Sequence, residues 1–243
     1  MPFVGLSLIF SILAIIHVIK TGRSQIWVMV LLALPGIGVL AYLLVEIVPG
    51  LLQGSASRRV SSKVSKTLNQ GREFDAAQRE YKLSGSVVSA CNLADLYCER
   101  GEFDEAAELY QGTLSGLNQH NPDIMHKLAD AQYQLKQYDQ CKVTLDNLIQ
   151  HNPQYKNQDA HLLYARCLDS LGDVDGAIEE YETLVKYYTG PEPAYHFATL
   201  LQRQGRSTEA NNVFKDIIEK ADLSPKHYQK MHAHWINLAR REL

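Results

Sequence analysis

Between residues 87 and 222 the apolar residues recur three and four positions apart, in runs broken by short polar segments. That spacing predicts helices with one buried face. In residues 91–110, CNLADLYCERGEFDEAAELY, Leu93, Ala94 and Tyr97 share one helical face, and Phe103, Ala106 and Tyr110 share another. Gly101 lies between them, where a tight helix–helix turn needs a residue without a side chain. A single hairpin of this kind cannot bury its apolar face, but the pattern returns. Leu93-Ala94 reappears as Leu128-Ala129, Tyr164-Ala165 and Phe197-Ala198, with steps of 35, 36 and 33 between the alanines. Ala106 reappears as Cys141, Ala177 and Ala210 with the same steps, and Tyr110 as Leu145, Tyr181 and Phe214. The turn glycine returns as Gly172 and Gly205, with Lys136 in the second unit.

The N-terminal pattern is different. Residues 1–19 and 24–45 carry no charged side chain and are mostly apolar. A helix of roughly 20 apolar residues crosses the hydrocarbon of a membrane. Two such stretches around Lys20-Thr-Gly-Arg23 predict a transmembrane hairpin over 1–53, with spans of about 2–19 and 26–48. Trp27 and Tyr42 suit the interfaces. Pro35-Gly36-Ile37-Gly38 should kink the second span or let the first approach closely. His17 and Glu46, near the span ends, read as groups reaching toward headgroups, with a role inside the membrane as the alternative.

Residues 54–86 read as a basic linker followed by a degenerate first repeat. Arg58, Arg59, Lys63 and Lys66 lie on an amphipathic segment and are candidate contacts to an anionic leaflet, each worth about 1 kcal/mol near such a surface. They outnumber Lys20 and Arg23 on the other side of the hairpin, which places the C-terminal part in the cytoplasm. GREFDAAQREY, with Phe74, Ala77 and Tyr81, then reads as the second helix of the opening repeat.

The repeats over 87–222 resemble the tetratricopeptide repeat. Period, paired small residues, aromatic spacing, turn glycine and junction prolines all agree. Departures are the missing Trp of the first helix, replaced by Ala90, Met125, His161 and Ala194, and Lys136 in place of a glycine. The resemblance implies an all-α fold, a right-handed α-superhelix or α-solenoid following the membrane hairpin. Residues 223–243 read as a capping helix begun by Ser224-Pro225, with Trp235, Leu238 and Ala239 facing the last repeat.

The N-terminal HVIKTGRSQIWVMVLLALPGIGVLAYLL resembles the two-span segment that precedes the catalytic domains of bacterial cardiolipin synthases and related phospholipase-D-type enzymes. The resemblance rests on Trp27, Pro35, Gly38 and Tyr42 to Leu44. It implies an anchor only, because the H-x-K-x-x-x-x-D of those enzymes is absent from the chain.

In tetratricopeptide proteins the inner surface is lined by the first helix of each unit and accepts a peptide or a partner helix. The residues standing there are Asn92, Asp95 and Glu99, then Lys127, Asp130 and Tyr133, then Arg166 and Asp169, then Tyr195, His196 and Arg203. Each has a solvated polar face as its plain alternative. The mixed charge suggests a partner with charges of both signs. The paired Lys and Asn that clamp a C-terminal carboxylate in some relatives are not evident.

Charge narrows the partner further. Residues 73–243 hold 17 basic and 26 acidic residues, which argues against nucleic acid. Cys91, Cys98, Cys141 and Cys167 form no C-x-x-C pair and read as small packed residues in a reducing compartment. No catalytic, metal-binding or cofactor-binding constellation is present. His227, His232 and His234 read as surface histidines, and Glu179-Glu180 as solvated. The sequence thus points to a non-enzymatic scaffold in a bacterial inner membrane that presents its repeats to protein partners in the cytoplasm. The second reading is a regulatory subunit or sensor for membrane-lipid synthesis or envelope assembly, acting through the hairpin.

Overall fold

The computed structural model describes residues 71–243 and, nearer the N-terminus, 11–12, 14–18, 20, 26–34, 37–43 and 45. The chain divides into two units, Met1–Glu73 and Phe74–Leu243. All regular structure among the described residues is helical.

In the first unit the helices are α1, Ile26–Ala33, and α2, Ile37–Tyr42, with further helical residues between 11 and 20. Val18, Leu31 and Tyr42 are buried together. The Trp27 ring meets that of Tyr42 edge-on, and His17 Nδ1 lies 2.9 Å from the Tyr42 hydroxyl. Gly38 stands close against the end of α1, since a Cβ there would sit 2.8 Å from the Val30 carbonyl oxygen. The expected membrane spans are corrected here. Among the described residues no helix is long and apolar enough to cross a membrane. The two helices have 8 and 6 residues, far short of the roughly 20 a span requires. The helix ends before the bend at Leu34, where the sequence continues Pro35-Gly36. Proline lacks an N–H and disfavours helical geometry in the residue before it. Localisation as an integral membrane protein with cytoplasmic repeats is therefore not sustained, nor is the membrane as a partner. Glu46 and the lipid-contact candidates Arg58, Arg59, Lys63 and Lys66 lie outside the described residues.

The second unit begins within a helical stretch over 71–84. Within it Phe74 packs edge-on against Tyr97, and the Arg100 guanidinium lies 4.0 Å above the Phe74 ring. Four helical hairpins follow. They are α3, Val87–Arg100, with α4, Phe103–Thr113; α5, Pro122–Gln134, with α6, Tyr138–His151; α7, Gln158–Leu171, with α8, Val174–Tyr187; and α9, Glu192–Arg203, with α10, Ser207–Leu223. Each helix packs on its chain neighbours, and α5, α7 and α9 also pack on one another in succession.

The small residues explain that stacking. Ala94, Ala129, Ala165 and Ala198 are fully buried on the first helices, as are Ala106, Cys141, Ala177 and Ala210 on the second. Tyr110, Leu145, Tyr181 and Phe214 fill the space beside them. The core consists of clusters that straddle the junctions between repeats. One joins Ala94, Ala106 and Tyr110 to Ile124 and Leu128 of the next repeat. Another joins Ala129, Cys141 and Leu145 to Leu163 and Cys167. A third carries Tyr181 and Leu184 onto Leu200.

Local chemistry sets the helix ends. Ser86, Asn121 and Asn157 cap α3, α5 and α7 by accepting backbone N–H bonds, and Pro122 follows one of these caps at the first helical turn. Each turn between paired helices closes with the same backbone bond, from the residue after the left-handed position back five residues. The four are Glu102 to Tyr97, Gln137 to Gln132, Asp173 to Leu168 and Arg206 to Leu201. The left-handed residue is Gly101, Gly172 or Gly205 in the first, third and fourth repeats and Lys136, at φ 59°, in the second.

The C-terminal segment differs from the single helix expected. It forms α11, Lys226–Met231, and α12, Ala233–Arg241, separated at His232. Ser224 closes α10, its hydroxyl donating to the Lys220 carbonyl at 2.6 Å, and Pro225 stands at the N-cap of α11. Ile236 and Ala239 are buried as α12 packs on α9 and α10.

Candidate functional site

The first-helix residues singled out by the sequence meet one another across the repeats. Asp95 on α3 accepts two hydrogen bonds from Lys127 Nζ on α5, at 2.8 and 2.7 Å, and one from the Tyr110 hydroxyl at 2.5 Å. Arg203 on α9 reaches back to both oxygens of Asp169 on α7, at 2.5 and 2.6 Å. Between these two ion pairs Tyr133 of α5 meets α7. Its ring lies 4.8 Å under the Arg166 guanidinium, and its hydroxyl is 3.2 Å from Ser170 Oγ. Tyr195 and His196 both pack against Trp235 of α12, with ring centroids 5.4 and 5.2 Å away. Among the described residues Asp130 accepts only a long bond from Gln134, at 3.4 Å. Asn92 and Glu99 are exposed and stand apart from these groups.

The pairing changes what this face can offer. Its acids and bases largely neutralise each other, and a one-repeat offset between acid and base ties consecutive first helices together. Arg166 carries a charge that no carboxylate meets among the described residues. Beside it lies Tyr181 of α8, which the repeat pattern presents only as a packing residue. Its hydroxyl is buried with no hydrogen-bond partner among the described residues. Burial and the Asp169 carboxylate push this phenol well above its usual range, while Arg166 and Arg203 oppose them. The His196 ring stacks on Tyr181 at 6.3 Å. His196 Nε2 is likewise buried without a hydrogen bond, and Glu192 at 3.8 Å is beyond bonding distance. Buried polar groups are nearly always bonded, so two such atoms on neighbouring rings mark a place that a partner, or a water, would complete. The periodic pattern could not reveal this, because an aromatic at that position is needed for packing whatever its hydroxyl does.

A second feature lies on the side of the second helices. A cavity of about 790 Å³ opens between α6, α7, α8 and the loop before α7. Leu145, Leu148, Ile149, Ala160 and the rings of Tyr155, Tyr164 and Tyr187 line it. His161 stands where the repeat's hallmark Trp is missing. One ring nitrogen is bonded to Glu180 and the other lies 2.5 Å from the Tyr187 hydroxyl. The Tyr155 and Tyr164 hydroxyls donate to Asp123 and Asp146, both at 3.0 Å. The missing Trp was the sequence signal for this cavity, since a smaller side chain leaves the space between second helices unfilled.

The C-terminal histidines are spread out. His227 is exposed, His232 lies on Gly190, and His234 meets Trp235 edge-on at 4.9 Å.

A family model described as "Tetratricopeptide repeat" matches residues 98–156 and 144–196. Among solved structures, a crystal structure of MamA is similar at 22% identity and a TM-score of 0.57, over 66% of this chain and 93% of that one. MamA residues 41-end from Desulfovibrio magneticus RS-1 give a TM-score of 0.58 at 13% identity, over 69% and 95%. YrrB, described as a TPR protein with an unusual peptide-binding site, gives 0.55 at 16% identity, over 75% and 88%. No curated protein matches the chain. These likenesses support tetratricopeptide repeats and an all-α solenoid-like fold. None of them addresses the N-terminal segment's resemblance to the phospholipase-D-type anchor.

Proposed function

We propose that the protein is a non-catalytic interaction scaffold whose first-helix face receives a segment of a partner protein. The observation that carries the reading is the pair of buried, unbonded atoms, the Tyr181 hydroxyl and His196 Nε2, beside Arg166. A peptide carboxylate would supply the counter-charge that Arg166 lacks, and the Tyr181 hydroxyl, closed to solvent in the free chain, joins it when binding opens the packing around it. The inter-repeat pairs Asp95–Lys127 and Asp169–Arg203 hold the first helices in register before a partner arrives, which lowers the ordering cost of binding. YrrB, similar in fold, is a peptide binder by its own description. Asn92, Glu99 and Asp130 form the acidic and polar end of the same face.

The test is selection of peptides from a displayed library on the full chain, followed by binding measurements on Arg166→Ala and Tyr181→Phe. Selected peptides lose about tenfold or more in affinity on each variant, a change of about 1.4 kcal/mol. Peptides that bind both variants as well as the parent chain would place recognition elsewhere.

A further inference from the structure

We infer that the cavity between α6, α7 and α8 is a binding site for a small organic cation with an apolar body. Its volume of about 790 Å³ exceeds what one inserted side chain fills and falls in the ~300–1,000 Å³ range of small-molecule sites. Three tyrosine rings, of Tyr155, Tyr164 and Tyr187, contribute to the wall, with Leu145, Leu148 and Ile149 completing an apolar surface.

The hydroxyls of these rings are already engaged, by Asp123, Asp146 and His161, the Lys142 ammonium lies 5.8 Å over the Tyr164 ring and His161 stacks on Tyr187, so among the described residues the ring with both faces open to a ligand is that of Tyr155. The face of a phenol ring carries negative charge density and attracts cations. The carboxylate in the lining is that of Glu180. One of its oxygens takes the bond from His161, and the other, Oε1, has no partner among the described residues. Asp123 and Asp146 stand behind the tyrosine hydroxyls and add to the same sign of potential. The opposing ammonium groups are less effective. Lys142 is held by Asp146 at 2.8 Å, and Lys156, in the lining, is exposed. An anionic ligand would meet Glu180 at close range, whereas a cation gains that carboxylate and the open Tyr155 ring together.

The second-helix side therefore has a ligand chemistry of its own, independent of the peptide face. The experiment uses the full chain and benzyltrimethylammonium as probe, with phenylacetate and benzyl alcohol as anionic and neutral counterparts, read by titration of amide chemical shifts. The cation binds, with shifts centred on Ala160, His161 and Glu180, and the two counterparts bind at least tenfold more weakly. Glu180→Gln, an isosteric change at a partly exposed side chain, weakens the cation about fivefold or more. Ile149→Arg, at the half-exposed rim, abolishes its binding while leaving the helical circular dichroism intact. Equal binding of phenylacetate, or an unaltered affinity in both variants, overturns the inference. A blocked arginine peptide that binds the cavity more tightly than the free cation would overturn the choice of a small molecule.

Discussion

Asp169 on α7 and Arg203 on α9 are joined through both carboxylate oxygens across a repeat junction, and the Asp169 side chain is only 17% exposed. The other first-helix pair, Asp95 with Lys127 two junctions earlier in the array, is 43% and 44% exposed. Burial therefore separates two acid–base contacts that lie at different positions of the repeat. Arg203→Ala strands a largely covered carboxylate and costs about 1.5–3 kcal/mol of unfolding free energy. Lys127→Ala, at an exposed pair, costs under about 1 kcal/mol. Urea denaturation of the two variants measures both, and equal losses would show that the extra burial of Asp169 carries no energy.

Lys136 occupies the left-handed position that Gly101, Gly172 and Gly205 fill elsewhere. A side chain there costs about 1–2 kcal/mol, partly offset by the greater freedom glycine has when unfolded. Lys136→Gly raises stability by about 0.5–1 kcal/mol. Gly101→Ala lowers it by about 1 kcal/mol through backbone geometry alone, because a Cβ at Gly101 meets nothing within 4 Å. The urea midpoints of the two variants shift in opposite directions.

Tyr181→Phe removes a hydroxyl that is buried and unbonded, and leaves the ring that packs against Ala165 and Leu200. An unsatisfied buried hydroxyl costs about 1–3 kcal/mol. The variant melts about 2–4 °C higher for each kcal/mol recovered in a domain of this size. The same substitution weakens peptide binding, so stability and affinity move in opposite directions. A lower melting temperature would mean that the hydroxyl is bonded to ordered water.

Burial holds His126 below the ordinary imidazole range, against Asp130, Asp159 and Asp123, which pull it upward; Lys127 adds to the lowering. Because the folded value lies below the unfolded one of about 6.5, the unfolded chain takes up the proton first. The neutral ring's contribution is present in full above pH 6.5 and is lost as pH falls through the folded value. Chemical denaturation between pH 7.5 and 5 shows this decline, and His126→Gln flattens it.

Much of the repeat architecture was legible because packing dictates it. Ala165 and Ala177 have no latitude where two backbones approach, so their spacing shows in the sequence. What the polar side chains do was not legible. Asp95 and Lys127 both read as groove residues, although an acid followed about one repeat later by a base is the mark of a contact between first helices. Tyr181 hid its hydroxyl behind a packing role, and Glu180 looked like one of two solvated acids until α8 brought it to His161. The apolar N-terminal residues misled for a different reason. Composition measures hydrophobicity but not helix continuity, and the chain is broken at Leu34 ahead of Pro35 and Gly36. The C-terminal segment failed similarly, with no glycine or proline to announce the break at His232.

The cavity beside His161 also affects how the array comes apart. It lies at the second-to-third junction, where a cation over a ring and a hydroxyl contact stand in place of the two-oxygen ion pairs found on either side. In a stacked array cooperativity passes only between nearest neighbours, so the junction whose first helices share no ion pair transmits the least of it. The solenoid thus carries a seam. Under denaturant or tension it parts into an N-terminal half ending at α6 and a C-terminal half beginning at α7, and a ligand seated in the cavity acts as a rivet across them.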